Sequence, residues 1–335
     1  MSGRRLDRAL ADGDLDGLLR LIDDACDDGD WDVLEQVAVR SRPAHERGHQ
    51  LWPAADHAEH RLALEAPAAQ AAAAVLRDAV TFGIAALAEV AASTHTWGEL
   101  DAHLGTVAVG PLRSVVAHER VARGEDLTGV ELFEDPIGLP LRLTTWEPAP
   151  AGPTIGAYAI DDPVPAAGRL DEVEPAGPAE AGGPDTAPGL SALLELTCVW
   201  AEQSNGQRSA VGVHGNAAQA VAALTGTAGR RRSLPAEEAL ALLAWAGASG
   251  GAHGRRRGMA RGRFEAWWCA AALAGLDTDW LPSVDEMGGA IGELDWWRFD
   301  DGTPPSGWHL QIAVEDPLDG LAWALSAGDS ATPIG

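Results

Sequence analysis

Two stretches of the chain carry side chains whose types and spacing could do chemistry. The first, His45-Glu46-Arg47-Gly48-His49, fits the pattern H-E-x-x-H. On a helix that spacing sets two imidazoles one turn apart, able to bind Zn²⁺, with the glutamate placed to activate a water. A metal-dependent hydrolase would use His45 and His49 as ligands and Glu46 as the catalytic base. The context opposes it. Pro43 and Pro53 confine any helix here to about two turns. Arg47 puts a charge where that helix is normally apolar, and Gly48 weakens it. No third ligand stands out, although His57, Glu59, His60 and Glu65 lie downstream. An exposed polar turn without metal is the expectation, and the hydrolase is the alternative.

The second stretch, Arg230 to Arg263, holds eight of the 24 basic residues against two acids, Glu237 and Glu238. In a chain with 50 acidic residues this is a local reversal of sign. Arg255, Arg256, Arg257, Arg261 and Arg263 lie in GGAHGRRRGMARGRF, a glycine-punctuated loop entering a helix expected at Phe264–Leu273. Cations at a helix N-terminus oppose its dipole, by about 0.3–1 kcal/mol each when exposed. Open N–H groups, glycine and planar guanidinium forks together suit a phosphate or carboxylate. These five arginines are the expected binding residues for an anionic small ligand or an acidic protein segment. His253 either assists them or caps the preceding helix. In the competing reading the arginines pair with the chain's own surplus carboxylates or face water.

Other matches lack their context. Asp12-x-Asp14-x-Asp16-Gly17 followed by Asp23, and more faintly Asp24 to Glu35, look like calcium loops. The two would abut, and Leu18 to Ile22 is helix-like, so helix caps are the simpler reading. Gly247-Ala248-Ser249-Gly250-Gly251 fits G-x-S-x-G, but a helix enters it where a nucleophile elbow needs a strand. Gly212-Val213-His214-Gly215 leaves G-x-G-x-x-G incomplete and reads as a strand-to-helix turn. Trp267-Trp268 and Trp296-Trp297 invite stacking. Neighbours on a helix or strand point different ways, so at most one of each pair lines a given surface, and core packing is expected.

Composition narrows the field. All 24 basic residues are arginine, which removes a Walker A lysine, a Schiff-base lysine and a kinase strand lysine. A formal charge of −26 opposes broad binding to nucleic acid or anionic membranes. Cys26, Cys198 and Cys269 have no paired spacing, so a reducing compartment is expected and neither a disulfide framework nor a zinc knuckle. The N-terminus has no signal-peptide apolar run. Ala66 to Ala92 contains Gln70, Arg77, Asp78 and Glu89, too polar for a membrane span. The sum is a cytoplasmic protein without a cofactor that leans away from catalysis.

The elements that must position these residues form an α+β pattern over 335 residues, long enough for about two domains. Residues 1–162 read as a helical domain ending in a hairpin. DGDLDGLL and DGDWDVLE repeat a cap-then-helix rhythm, and Leu15, Leu18, Leu19, Ile22 and Trp31, Leu34, Val37 recur at helical spacing. Thr96-x-x-Glu99 is a capping box and Pro111 suits a first helical turn. Leu139–Trp146 and Thr154–Ile160 are the expected hairpin strands. Residues 163–189, rich in Pro, Gly, Ala and Glu, read as a solvated linker. Residues 190–330 read as a second α+β domain. There a strand over Ala210–Val213 leads to a helix near Asn216–Leu224, and further helices follow at Pro235–Ser249 and Phe264–Leu273. The last carries Phe264, Trp267, Trp268, Ala271 and Ala272. Antiparallel strands at Leu294–Asp300, Trp308–Val314 and Leu321–Ala327 end the domain. Eight of the 13 tryptophans lie from Trp245 onward, so the bulkier core is expected there.

Four phrases carry a resemblance: Leu51-Trp52-Pro53-Ala54-Ala55-Asp56-His57-Ala58-Glu59; Ala91-Ala92-Ser93-Thr94-His95-Thr96-Trp97; Ser249-Gly250-Gly251-Ala252-His253-Gly254-Arg255-Arg256-Arg257-Gly258; and Val314-Glu315-Asp316-Pro317. From near Leu51 to Ala327 the chain resembles an uncharacterised actinobacterial family of unknown function, DUF6183. That resemblance implies an origin and no chemistry, and it assigns no functional residue.

Overall fold

The computed structural model describes residues 2–43, 50–77, 86–105, 110–148, 154–156, 160–161, 168–172, 177–227, 229–302 and 307–330. The chain divides into two compact units: Met1–Pro136 with Ala151–Asp162, and Ile137–Pro150 with Pro163–Gly335.

The first unit is built from short helices: α1 (Ser2–Asp12), α2 (Leu15–Asp28), α3 (Trp31–Ser41), α4 (Trp52–Glu65), α5 (Ala68–Leu76), α6 (Leu87–Thr94), α7 (Trp97–Leu104) and α8 (Gly110–Ala122). The repeated Asp-Gly-Asp punctuation does what its chemistry suggests. Asp14 and Asp30 accept the N–H groups of Gly17 and Val33 at the starts of α2 and α3, and Gly29 closes α2 at φ 65°. Those aspartates are caps. Leu18, Leu21 and Ile22 on α2 and Val33, Leu34 and Val37 on α3 are buried, as are Ala54, Ala55, Ala58 and Leu62 of α4, which packs against both helices. Thr96 and Glu99 form a complete capping box on α7.

The hairpin forms at a different place from the one expected. β1 (Thr154–Ile155) pairs with β2 (Ile160–Asp161), both inside or beside the second of the two expected strands. Leu139–Trp146 belongs to the second unit, where a polar anchor described below fixes it.

The second unit is a seven-stranded antiparallel sheet with helices on both faces. Its strands are β3 (Asp171–Glu172), β4 (Glu180–Ala181), β5 (Gln207–His214), β6 (Arg230–Leu234), β7 (Asp295–Asp300), β8 (Trp308–Asp316) and β9 (Leu321–Asp329), in the order β3-β6-β7-β8-β9-β5-β4. Its helices are α9 (Ala187–Leu196), α10 (Cys198–Glu202), α11 (Ala217–Thr225), α12 (Ala236–Ala248), α13 (Met259–Leu273) and α14 (Val284–Glu293). The register sets Leu234, Trp296, Val314 and Trp323 in one buried row. Helices α9 and α12 lie on that face. On the other, Val213, Phe299, Ala313, Ala322 and Ala324 pack against Ala217, Ala220 and Val221 of α11. The alternation at Trp308, Leu310, Ile312 and Val314 is thus a strand with one face on each helical layer.

Residues 163–189 are more than a linker. They supply β3 and β4, the margins of the sheet, and open α9. Thr186 is buried, and its carbonyl accepts the Trp323 indole N–H at 2.8 Å. Backbone groups complete a sheet without any apolar side chain, so a stretch poor in hydrophobics can still be structured. Among the described residues, no helix is long and apolar enough to cross a membrane.

Candidate functional site

The loop between α12 and α13 is folded tightly upon itself. The Arg257 N–H donates to the Ala248 carbonyl at 2.8 Å, and the Ala252 N–H to the buried carboxylate of Asp329 at 2.6 Å. A Cβ on Gly250 would lie 2.2 Å from the Gly254 carbonyl oxygen, and one on Gly254 would lie 2.3 Å from that of Gly250. Glycine is required here for close approach of the loop to itself. The punctuation that suggested a ligand cradle is spent on that packing.

The five arginines divide by what they touch. Arg263, 5% exposed, grips both oxygens of Glu147 through Nε and Nη2 at 2.6 and 2.9 Å. It also donates to the carbonyls of Pro140 and Arg142 at 2.9 and 3.0 Å. Trp267 adds its indole N–H to Glu147 at 2.8 Å. Burial pushes the Glu147 carboxyl up. The hydrogen bonds and charge of Arg263, then the Thr144 N–H and the Trp267 indole, outweigh burial and hold it below the usual carboxylate range. This is the anchor that draws Leu139–Trp146 onto α13. Arg256 is buried and Arg255 half-buried, and both are engaged within the protein. Arg257 pairs with Oε1 of Glu265 at 2.5 Å and approaches the Cys198 Sγ at 3.7 Å. Arg261 pairs with the same Glu265 oxygen at 2.5 Å. Its side chain is 47% exposed and the Glu265 side chain 2%. His253 is exposed, and its backbone N–H donates to Ser204 Oγ at 3.0 Å.

Two guanidinium groups on one buried carboxylate leave one cationic charge in excess of that acid. Arg261 presents it at the surface. Beside it, Phe264 and Trp268 are the other incompletely buried residues between Ala260 and Leu273. The Arg261 guanidinium lies 5.1 Å from the Phe264 ring centroid. Trp280 stands edge-on to Phe264 and Trp268, with centroids 5.5 and 5.2 Å away. Trp267 faces the core, and Phe264 and Trp268 face outward. The three- and four-residue spacing of Arg261, Phe264 and Trp268 carried that signal in the sequence. Glu265, at i+4 from Arg261, follows the same spacing, whereas nothing local announced Glu147 or Trp280.

His45, Glu46 and His49 lie outside the described residues. Their downstream neighbours are committed elsewhere. On α4, Glu59 accepts from Arg42 at 2.5 Å, and the His60 Nε2 meets the Gly156 carbonyl at 2.6 Å. His57 is buried, and burial, then Arg61 and His60, lower its pKa from 6.5 to about 4. Among the described residues no group of His, Cys, Asp and Glu is arranged to hold a metal ion. A second polar knot ties Ser114 Oγ and His118 Nε2 to Asp135 at 2.6 and 3.0 Å. The aspartate sits between the other two, so the histidine is not placed to take a proton from the serine. Of the tryptophan pairs, Trp296 is buried and Trp297 half-buried under Arg231, 5.8 Å from its ring.

The sequence model of a family of unknown function, DUF6183, matches residues 16–331, and the chain belongs to that family. The match begins upstream of Leu51, so the capped helices α2 and α3 are part of it. No significant match was found among curated proteins, and none among solved structures.

Proposed function

We propose that this is a non-catalytic binding protein of the cytoplasm that takes an anion or an acidic protein segment at the start of α13. One observation carries the reading: Arg257 and Arg261 converge on a single carboxylate, Glu265, and Arg261 holds the surplus charge at the surface. Arg261 is the recognising group, and Arg257 keeps Glu265 neutralised when Arg261 turns to a ligand. Arg256 and Arg263 serve as scaffold. Guanidinium suits this role because its planar fork can meet a carboxylate or phosphate with two parallel hydrogen bonds.

Titration with inorganic phosphate and with an oligoglutamate peptide, followed by calorimetry at low and physiological salt, tests the proposal. Salt-sensitive binding of one of them is expected, weakened several-fold by Arg261→Ala and partly retained by Arg261→Lys. Absence of binding by both probes, or equal binding by wild type and Arg261→Ala, overturns it.

A further inference from the structure

We infer that Phe133 is an aromatic knob that seats in an apolar socket, rimmed by basic residues, on another protein. This does not depend on the reading of Arg261 and concerns the first unit of the chain. Residues 131–135, Glu-Leu-Phe-Glu-Asp, follow α8 and are fastened back onto it. The Arg113 Nη1 donates to the Glu131 carbonyl at 2.8 Å, while its Nε and Nη2 hold Asp101 at 2.5 and 3.1 Å. The Glu134 side chain lies across the first residue of α8, so a Cβ on Gly110 would come within 3.1 Å of the Glu134 Cβ. Asp135 meets Ser114 and His118, both of them fully buried. Phe133 lies between these ties and is 73% exposed. Burying a phenylalanine ring is favourable, yet three polar ties hold this one away from the chain's own core. A side chain displayed on a fixed backbone gives up little freedom on docking. Aromatic anchors in pockets dominate the energetic centres of protein interfaces.

Charge selects the occupant. Three arginines of α8 are turned inward and paired: Arg113 with Asp101, Arg120 with Glu125 and Arg123 with Glu119. Their side chains are at most 14% exposed. Glu131 and Glu134, on either side of Phe133, are exposed, and among the described residues neither has an ion pair. The ring is therefore flanked by two carboxylates that no cation at the surface offsets. At physiological salt the Debye length is about 8 Å, so these near charges decide what approaches. They repel nucleic acid and anionic lipid and draw a basic surface. A ring this exposed encloses nothing, so it suits no small ligand.

Fluorescence anisotropy of two labelled peptides, with co-sedimentation on zwitterionic lipid vesicles, tests this. One peptide is an amphipathic helix with a leucine stripe flanked by lysines, and the second replaces Leu with Ser. The Lys-Leu peptide is expected to bind the full chain more tightly than the Lys-Ser peptide. Phe133→Ala should weaken it about tenfold and leave the Tm unchanged, whereas Phe133→Trp, which keeps an aromatic knob, should bind like wild type. Glu131→Gln combined with Glu134→Gln should weaken it several-fold and reduce its salt dependence. Equal binding of the two peptides, indifference to Phe133→Ala, or no binding of either peptide overturns the inference. Vesicle binding that Phe133→Ala abolishes also overturns it, because the ring would then be a lipid anchor. The glutamine pair changes only surface side chains, so it keeps the test decisive should Phe133→Ala fail to fold.

Discussion

At the scale of single residues, the arginines of α13 differ in what their loss exposes. Arg263→Met would strand the carboxylate of Glu147 in the interior, and breaking a buried pair on one side costs about 3–5 kcal/mol. Urea unfolding should show that loss. Arg261→Ala, by contrast, leaves Glu265 with Arg257 and should change stability by about 1 kcal/mol or less. Two titrations act in the same direction, each lowering stability as pH falls. His57 takes up its proton near pH 4 in the folded chain and near 6.5 when unfolded. Above 6.5 both states are neutral there and the group contributes nothing. Between 6.5 and 4 the unfolded state gains the proton first, so stability falls as pH drops through that window. His57→Gln should flatten this part of a stability–pH curve measured by chemical denaturation. Glu147, with its carboxyl held low, stabilises the fold above the ordinary 4.5. Its contribution is lost at lower pH, as the medium passes through the depressed folded value.

At the scale of elements, close approach governs the pair α12 and α13. A Cβ on Gly262 would sit 2.2 Å from the Ala244 carbonyl oxygen and 2.7 Å from the Ala248 Cβ. Both are rigid parts of the facing helix, so Gly262→Ala should force the helices apart and cost about 1–3 kcal/mol, read as a lower Tm. Asp30→Ala removes a cap and should cost about 1 kcal/mol by the same measurement. These elements also mark what a sequence can and cannot disclose. Capped helices, the alternating strands β7 to β9 and the α+β class follow from local rules: Asp before a helix, period two in a strand, glycine after a helix. The lost hairpin strand at Leu139–Trp146 and the structured stretch carrying β3 and β4 depend on partners beyond the reach of local rules: Arg263 for Glu147, β6 for β3 and β5 for β4. Charge counting located the arginine cluster. It could not say that Arg263 would find Glu147, because that acid lies 116 residues away and reaches the cluster only through folding.

At the scale of the molecule, the charge of −26 sets the terms on which the chain stays folded. Like charges repel across the compact state, and salt screens them. Raising ionic strength from low to physiological should therefore raise the Tm in calorimetry, even though it weakens surface pairs such as Arg5–Asp24. The same ionic strength should weaken capture of an acidic probe, so stability and binding should move in opposite directions with salt. The sheet carries a further consequence. One proline- and glycine-rich length of chain lends two residues to each of its opposite borders, β3 against β6 and β4 against β5. Trimming that length as though it were a dispensable spacer would strip both borders at once. The bared amides and carbonyls of β5 and β6 would then recruit strands from other molecules, and a shortened chain should polymerise edge to edge.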